Sequence, residues 1–163
     1  YFLYKRDIME NHKRKHKGGF HVVQYMEFTD DLVTGNALID GQHQELIGKI
    51  NDLLRTCETG DGKVKALNTL DYLEEYTNFH FSQEEALQEE IEYPGLKEHR
   101  EKHQEFVQSI KELYEMLEEQ EGPTDAFVQQ VNKNVVDWFV NHIQGFDRSV
   151  AEYKNLKNNP DLL

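Results

Sequence analysis

From Ile39 onward, apolar residues recur at spacings of three and four in four successive segments, each closed by a turn or helix breaker. That period marks helices that each bury a single stripe. The first segment carries Ile39, Leu46, Ile47, Ile50, Leu53 and Leu54, with Asp40 as its expected N-cap, and ends before Gly60-Asp61-Gly62. The second runs from about Val64 to Glu90 through Leu67, Leu70, Leu73, Tyr76 and Leu87, and stops at Pro94-Gly95. The third carries Phe106, Val107, Ile110, Leu113 and Leu117 as far as Glu121-Gly122-Pro123, where glycine and proline break it. The fourth opens near Thr124 and carries Val128, Val131, Val135, Trp138 and Phe139. Short connections between long helices favour antiparallel neighbours. The expected fold is therefore all-α, an antiparallel up-down-up-down four-helix bundle.

Every stripe is interrupted by residues that do not belong in an apolar core. His43 lies three before Leu46 and four before Ile47. His80 continues the line of Leu73 and Tyr76 or Thr77, and Glu84 follows four residues later. His99 and His103 precede Phe106 and Ile110 in one stripe, and His142 continues Val131, Val135 and Trp138. Burying five histidines and a carboxylate without strong partners would cost several kcal/mol or more, against a net stability of about 5–15 kcal/mol for a domain. A shared metal site removes that conflict. Residues at i and i+4 are separated by about 400° and roughly 6 Å, so His80 with Glu84, and His99 with His103, project side by side. Asp147 is harder to place: five residues beyond His142, an ideal helix points it roughly 140° away. Gly145 lies between them, where it permits a loosened or bulged turn that swings the carboxylate inward.

Imidazole and carboxylate without thiolate suit iron, manganese, zinc or copper. Seven donors exceed what one ion takes. Two ions bridged by both carboxylates and one solvent oxygen leave five histidines to divide as three and two, so that one ion is six-coordinate and closed and the other five-coordinate and open.

Charge and composition narrow the partners. The chain of 163 residues suits one domain and carries a net charge of −13, which repels nucleic acid and anionic membranes. No apolar run approaches the roughly 20 residues of a membrane span, and the start lacks a secretory h-region. With Cys57 as the only thiol, no internal disulfide can form, and a cytoplasmic location is expected. Cys57 has no basic cluster beside it and is expected at the surface or a boundary. Residues 1–25 hold six basic against two acidic residues, whereas the remainder holds 12 against 29. We expect a basic extension or leader over 1–25 and the bundle over 26–163.

The ordered pattern His43, His80-Phe81-Ser82-Gln83-Glu84, His99-Arg100-Glu101-Lys102-His103 and His142-Ile143-Gln144-Gly145-Phe146-Asp147 resembles the hemerythrins, in particular the bacterial single-domain kind. Flanking text is similar too: Phe28-Thr29-Asp30-Asp31-Leu32, Ile39-Asp40-Gly41-Gln42-His43 and Trp138-Phe139-Val140-Asn141-His142-Ile143. The resemblance covers about Met26 to the C-terminus. It implies two iron ions per chain, oxo- or hydroxo-bridged. His99, His103 and His142 would bind the closed iron, His43 and His80 the open one, and Glu84 and Asp147 would bridge. It further implies reversible O2 binding rather than enzymatic turnover, with azide or NO as possible ligands. The family's apolar pocket positions correspond to Leu46, Phe81, Trp138, Phe139 and Ile143. A diiron oxidase of the ferritin-like type would use Glu-x-x-His. Three places before each histidine stand Met9, Lys13, Gly18, Asp40, Thr77, Leu96, Arg100 and Phe139, never Glu. A module sensing O2, NO or iron status is the other alternative.

Overall fold

A computed structural model describes Val23, residues 25–159 and Asp161; most of the basic stretch expected over 1–25 lies outside these residues. Four long helices account for the architecture: α1 (Ala37–Thr59), α2 (Gly62–Glu90), α3 (Leu96–Glu118) and a composite α4 over 125–158. α1 packs on α2, α2 on α3, α3 on α4, and α4 returns to α1. The expected antiparallel four-helix bundle is the fold.

Local chemistry sets the boundaries. Asn36, not Asp40, caps α1: its Oδ1 accepts from the backbone N–H groups of Leu38 (3.2 Å) and Ile39 (3.4 Å). Asp40 instead accepts from the Thr34 N–H (2.8 Å), the Thr34 hydroxyl (2.7 Å) and the Gly35 N–H (3.1 Å), closing the turn that leads into the helix. Gly60 ends α1 in the left-handed region at φ 65°, and Gly62 opens α2 at φ 79°, conformations that favour glycine. Thr124 caps α4 through the Phe127 N–H at 3.3 Å.

α4 is not uniform. The α-helical stretches Asp125–Val131, Trp138–His142 and Arg148–Asn158 alternate with π-helical turns at Asn132–Asp137 and Ile143–Asp147. Because each π turn bonds i to i+5, it takes up an extra residue without ending the helix.

The core divides along the bundle axis. Towards one end, Leu53, Leu54, Leu70, Leu113, Leu117, Phe127 and Val131 are fully or almost fully buried. Antiparallel topology brings the opposite ends of the helices together at the other: the start of α1, the end of α2, the start of α3 and the end of α4. Those are the stretches that carry the polar interruptions. Cys57, expected at the surface or a boundary, is buried at 4 % exposure in the apolar core. α2 turns back against α1 immediately after Gly60 and covers the last turn, and burial pushes the thiol up to about 12. Before α1, residues 26–32 are held down. The Met26 N–H donates to Asn51 Oδ1 (2.8 Å), Asn51 Nδ2 donates to the Met26 carbonyl (2.9 Å), and Leu32 is buried. No helix among the described residues is long and apolar enough to cross a membrane.

Candidate metal centre

All four helices contribute to one buried cluster. His43 comes from the second turn of α1, His80 and Glu84 from the C-terminal half of α2, His99 and His103 from the first turns of α3, and His142 and Asp147 from α4. None of the seven side chains is more than 3 % exposed. The pairs His80 with Glu84 and His99 with His103 share a face because they sit at i, i+4. His142 and Asp147 share one because Ile143–Asp147 is a π turn. The sequence suggested glycine as the device for that turn. Gly145 nevertheless has no positive φ, and a Cβ there would meet nothing within 4 Å, so the bulge does not depend on the absence of a side chain.

Two overlapping groups emerge. Glu84, His99, His103 and His142 form one, and His43, His80, Glu84 and Asp147 the other; within each, one donor atom per residue lies within 4.8 Å of the rest. Asp147 reaches both sides: Oδ1 lies 3.1 Å from His99 Nε2 and 3.0 Å from His142 Nε2, while Oδ2 lies 3.0 Å from His43 Nε2. Glu84 Oε2 stands 3.3 Å from His99 Nε2, 3.2 Å from His103 Nε2 and 3.9 Å from His80 Nε2. His99 and His142 turn Nε2 toward each other at 3.0 Å.

Close as these atoms are, most are not aligned as hydrogen bonds. The Nε2 atoms of His43, His80 and His103, Glu84 Oε2 and both Asp147 oxygens are buried without a hydrogen-bond partner. Orphaned polar atoms of this kind are rare and costly in a protein interior. Together they form a set of nitrogen and oxygen donors converging from four helices, which is what borderline metal ions coordinate. The residues present fit a metal.

The charges agree with that reading. Burial pushes the Asp147 carboxyl up, but His142, His43 and His99 outweigh it and hold the group well below its ordinary value. Glu84 behaves alike: burial and Asp147 raise it, and the imidazoles of His103 and His99 bring the balance below the usual range. Burial drives His80 down to about 4, and it lowers His142 as well. At His99 burial also pushes down, yet the two carboxylates prevail and raise it to about 9. Two carboxylates that stay ionised in an interior are a standing attraction for a cation.

Residues 34–152 match the family model described as the hemerythrin HHE cation binding domain. The chain belongs to the hemerythrin family. Similar relatives include a bacteriohemerythrin of Stenotrophomonas maltophilia (strain R551-3), 30 % identical over 76 % of this chain and 77 % of that protein. A bacteriohemerythrin of Clostridium acetobutylicum (strain ATCC 824) is also 30 % identical, over 76 % of this chain and 96 % of the relative. A solved crystal structure of a leucine-to-phenylalanine mutant superposes with a TM-score of 0.64 at 28 % identity, covering 73 % of this chain and 88 % of that one.

The hemerythrin span contains all seven donors, and it also contains a layer of side chains behind them that sequence reasoning missed. Gln42 Oε1 lies 2.9 Å from His80 Nδ1, and Glu85 Oε1 lies 2.8 Å from His103 Nδ1. Gln88 faces His99 Nδ1 at 3.0 Å through Nε2, leaving Oε1 buried without a partner. An imidazole that turns Nε2 to a metal carries its proton on Nδ1. Rotating the Gln88 amide by half a turn then lets Oε1 accept from the His99 Nδ1–H, and the two orientations look alike in shape. A signal for Gln88 was available, since it extends the line of His80 and Glu84 by another four residues.

Rings brace the imidazoles. Phe81 stacks on His103 with centroids 3.7 Å apart and planes at 8°, and Trp138 stacks on His142 at 4.4 Å and 11°. Phe139 meets His43 edge-on at 5.6 Å. Of the five apolar pocket positions, Leu46, Phe81, Phe139 and Ile143 are buried and Trp138 is half-buried.

Proposed function

We propose that this hemerythrin binds O2 reversibly at a two-iron centre, with His99, His103 and His142 holding one iron, His43 and His80 the other, and Glu84 and Asp147 bridging them. The observation that carries the reading is the unequal division of nitrogens between two donor groups that share carboxylates. One half is offered three imidazoles and the other two, so only the two-histidine half has a position to give to a small ligand. The iron pair, when bound, supplies the electrons that O2 takes up and returns.

The protein's own part is positioning and exclusion. Asp147 spans both halves with its two oxygens, and Glu84 reaches both from α2 through Oε2 alone. Phe139, beside His43, and Phe81, with its ring centroid 5.7 Å from that of His80, are buried apolar rings at the two-histidine half, and we assign the buried Leu46 and Ile143 to the same dry wall. Among the described residues these apolar side chains offer no acid to donate a proton, which favours release of O2 over its reduction. Trp138 and Phe81 stack on ligands of the three-histidine half and keep those rings from turning. This is binding rather than turnover. Iron-reconstituted protein should contain two irons per chain, and azide should change the visible absorption of its oxidised form. One iron per chain would contradict the reading.

A further inference from the structure

The second layer is as unequal as the first. Behind His80 stands a neutral amide, Gln42, and behind His99 another, Gln88. The Nδ1 atoms of His43 and His142 have no hydrogen-bond partner. Among the described residues only His103 is backed by a carboxylate, and that carboxylate is itself anchored: Glu85 Oε2 accepts from Arg100 Nε at 2.9 Å, and Arg100 also donates to Glu89. The Glu85 side chain is a quarter exposed and His103 is 3 % exposed, so the hydrogen bond between them runs from the rim of the bundle into the site.

A carboxylate that accepts the Nδ1 proton of an imidazole orients the ring, fixes its tautomer and makes the opposite nitrogen a stronger donor. An amide oxygen orients the ring equally well but pushes less charge into it. We propose that Glu85, held by Arg100, is a positioning residue that makes the three-histidine half the tighter of the two metal positions, and therefore the first to fill. Gln42, at the corresponding place behind His80, leaves the two-histidine half the looser. The inference rests on the two-metal reading above and extends it to the order in which the metals are held.

The test needs no O2. Metal-free protein is titrated with Co(II) against a competing chelator, and the stepwise affinities are read for the wild type, Glu85→Gln and Gln42→Glu. Glu85→Gln keeps an acceptor oxygen for His103 and removes the charge. It should weaken the tighter step about 10-fold or more, within the range ordinary for such outer partners, and leave the looser step unchanged. Gln42→Glu should strengthen the looser step, a gain that a damaged fold cannot mimic. Two Co(II) ions bound with both steps unaltered in Glu85→Gln, or with the looser step weakened in its place, would overturn the assignment of Glu85. Uptake of a single Co(II) by the wild type would overturn the two-metal reading itself, so the two failures are distinguishable.

Discussion

The two ends of the bundle are built from the same helices and ask opposite things of them. At the dry end Leu53, Leu70, Leu113, Leu117 and Phe127 interlock with almost no exposed surface, and stability there comes from apolar area removed from water. At the polar end the same stripes carry five imidazoles and two carboxylates, equally buried, and the Nε2 atoms of His43, His80 and His103, Glu84 Oε2 and both Asp147 oxygens are left without a hydrogen-bond partner. The difference teaches that burial is not by itself a measure of stabilisation. The dry end holds the polar end together, and the polar end repays that only when a cation is bound.

The sharpest way to break this division is to remove a donor. His99→Ala takes a ring that lies close to both carboxylates, so iron content after reconstitution should fall below two per chain, while the circular dichroism of the metal-free protein keeps its helical signature. Next in size, Leu113→Ala should cost about 2–5 kcal/mol in a denaturant melt, metal-free or loaded, with iron content per folded chain unchanged. A fall in iron stoichiometry in that variant would mean that the ends are not separable.

Acidity sharpens the comparison because the polar end holds the buried groups shifted to about 4 and about 9. His80, lowered to about 4 by burial, contributes stability that is present above its unfolded value near 6.5 and lost as pH falls through 4. Asp147 and Glu84, both lowered, contribute stability that is present above their ordinary carboxylate values and lost as pH falls through their folded ones. His99, raised to about 9, contributes stability that is present below 6.5 and lost as pH rises through 9. Metal-free protein should therefore be most stable in a window between these limits, falling on both sides in a melt series. A flat profile from pH 4 to 10 would show that the cluster does not hold these charges.

The smallest effect is expected at the π turn. Gly145→Ala adds a methyl group into open space at ordinary helical φ, and should stabilise by about 0.5–1 kcal/mol with iron content preserved. Loss of iron would restore to glycine the role that the geometry denies it.

What was legible in the sequence follows the same line between the ends. The helix period fixed the dry end without ambiguity, and the polar end stood out because His43, His80, His99, His103 and His142 occupy positions where the period demands apolar residues. Asp147 was legible only through its spacing from His142, and the reason offered, Gly145, proved incidental. The π turn at Asn132–Asp137 left no sign, since nothing in local composition separates an i to i+5 turn from an ordinary one. Gln42 and Glu85 were passed over because each sits about 100° off its stripe, next to His43 and Glu84, where a polar residue looks solvated. Asp40 was misplaced as a cap because both Asn36 and Asp40 have the right chemistry, and only the turn at Thr34 and Gly35 decides between them.

The central claim is that the polar end holds two irons and exchanges O2 without consuming it. The direct measurement is the visible spectrum of iron-loaded protein, reduced without oxygen, then exposed to air, then freed of oxygen again. An absorption that appears with air, fades on removal of O2 and returns on the next exposure is the predicted result. A spectrum that passes irreversibly to the oxidised form on first exposure, with O2 consumed whenever reductant is supplied, would contradict it.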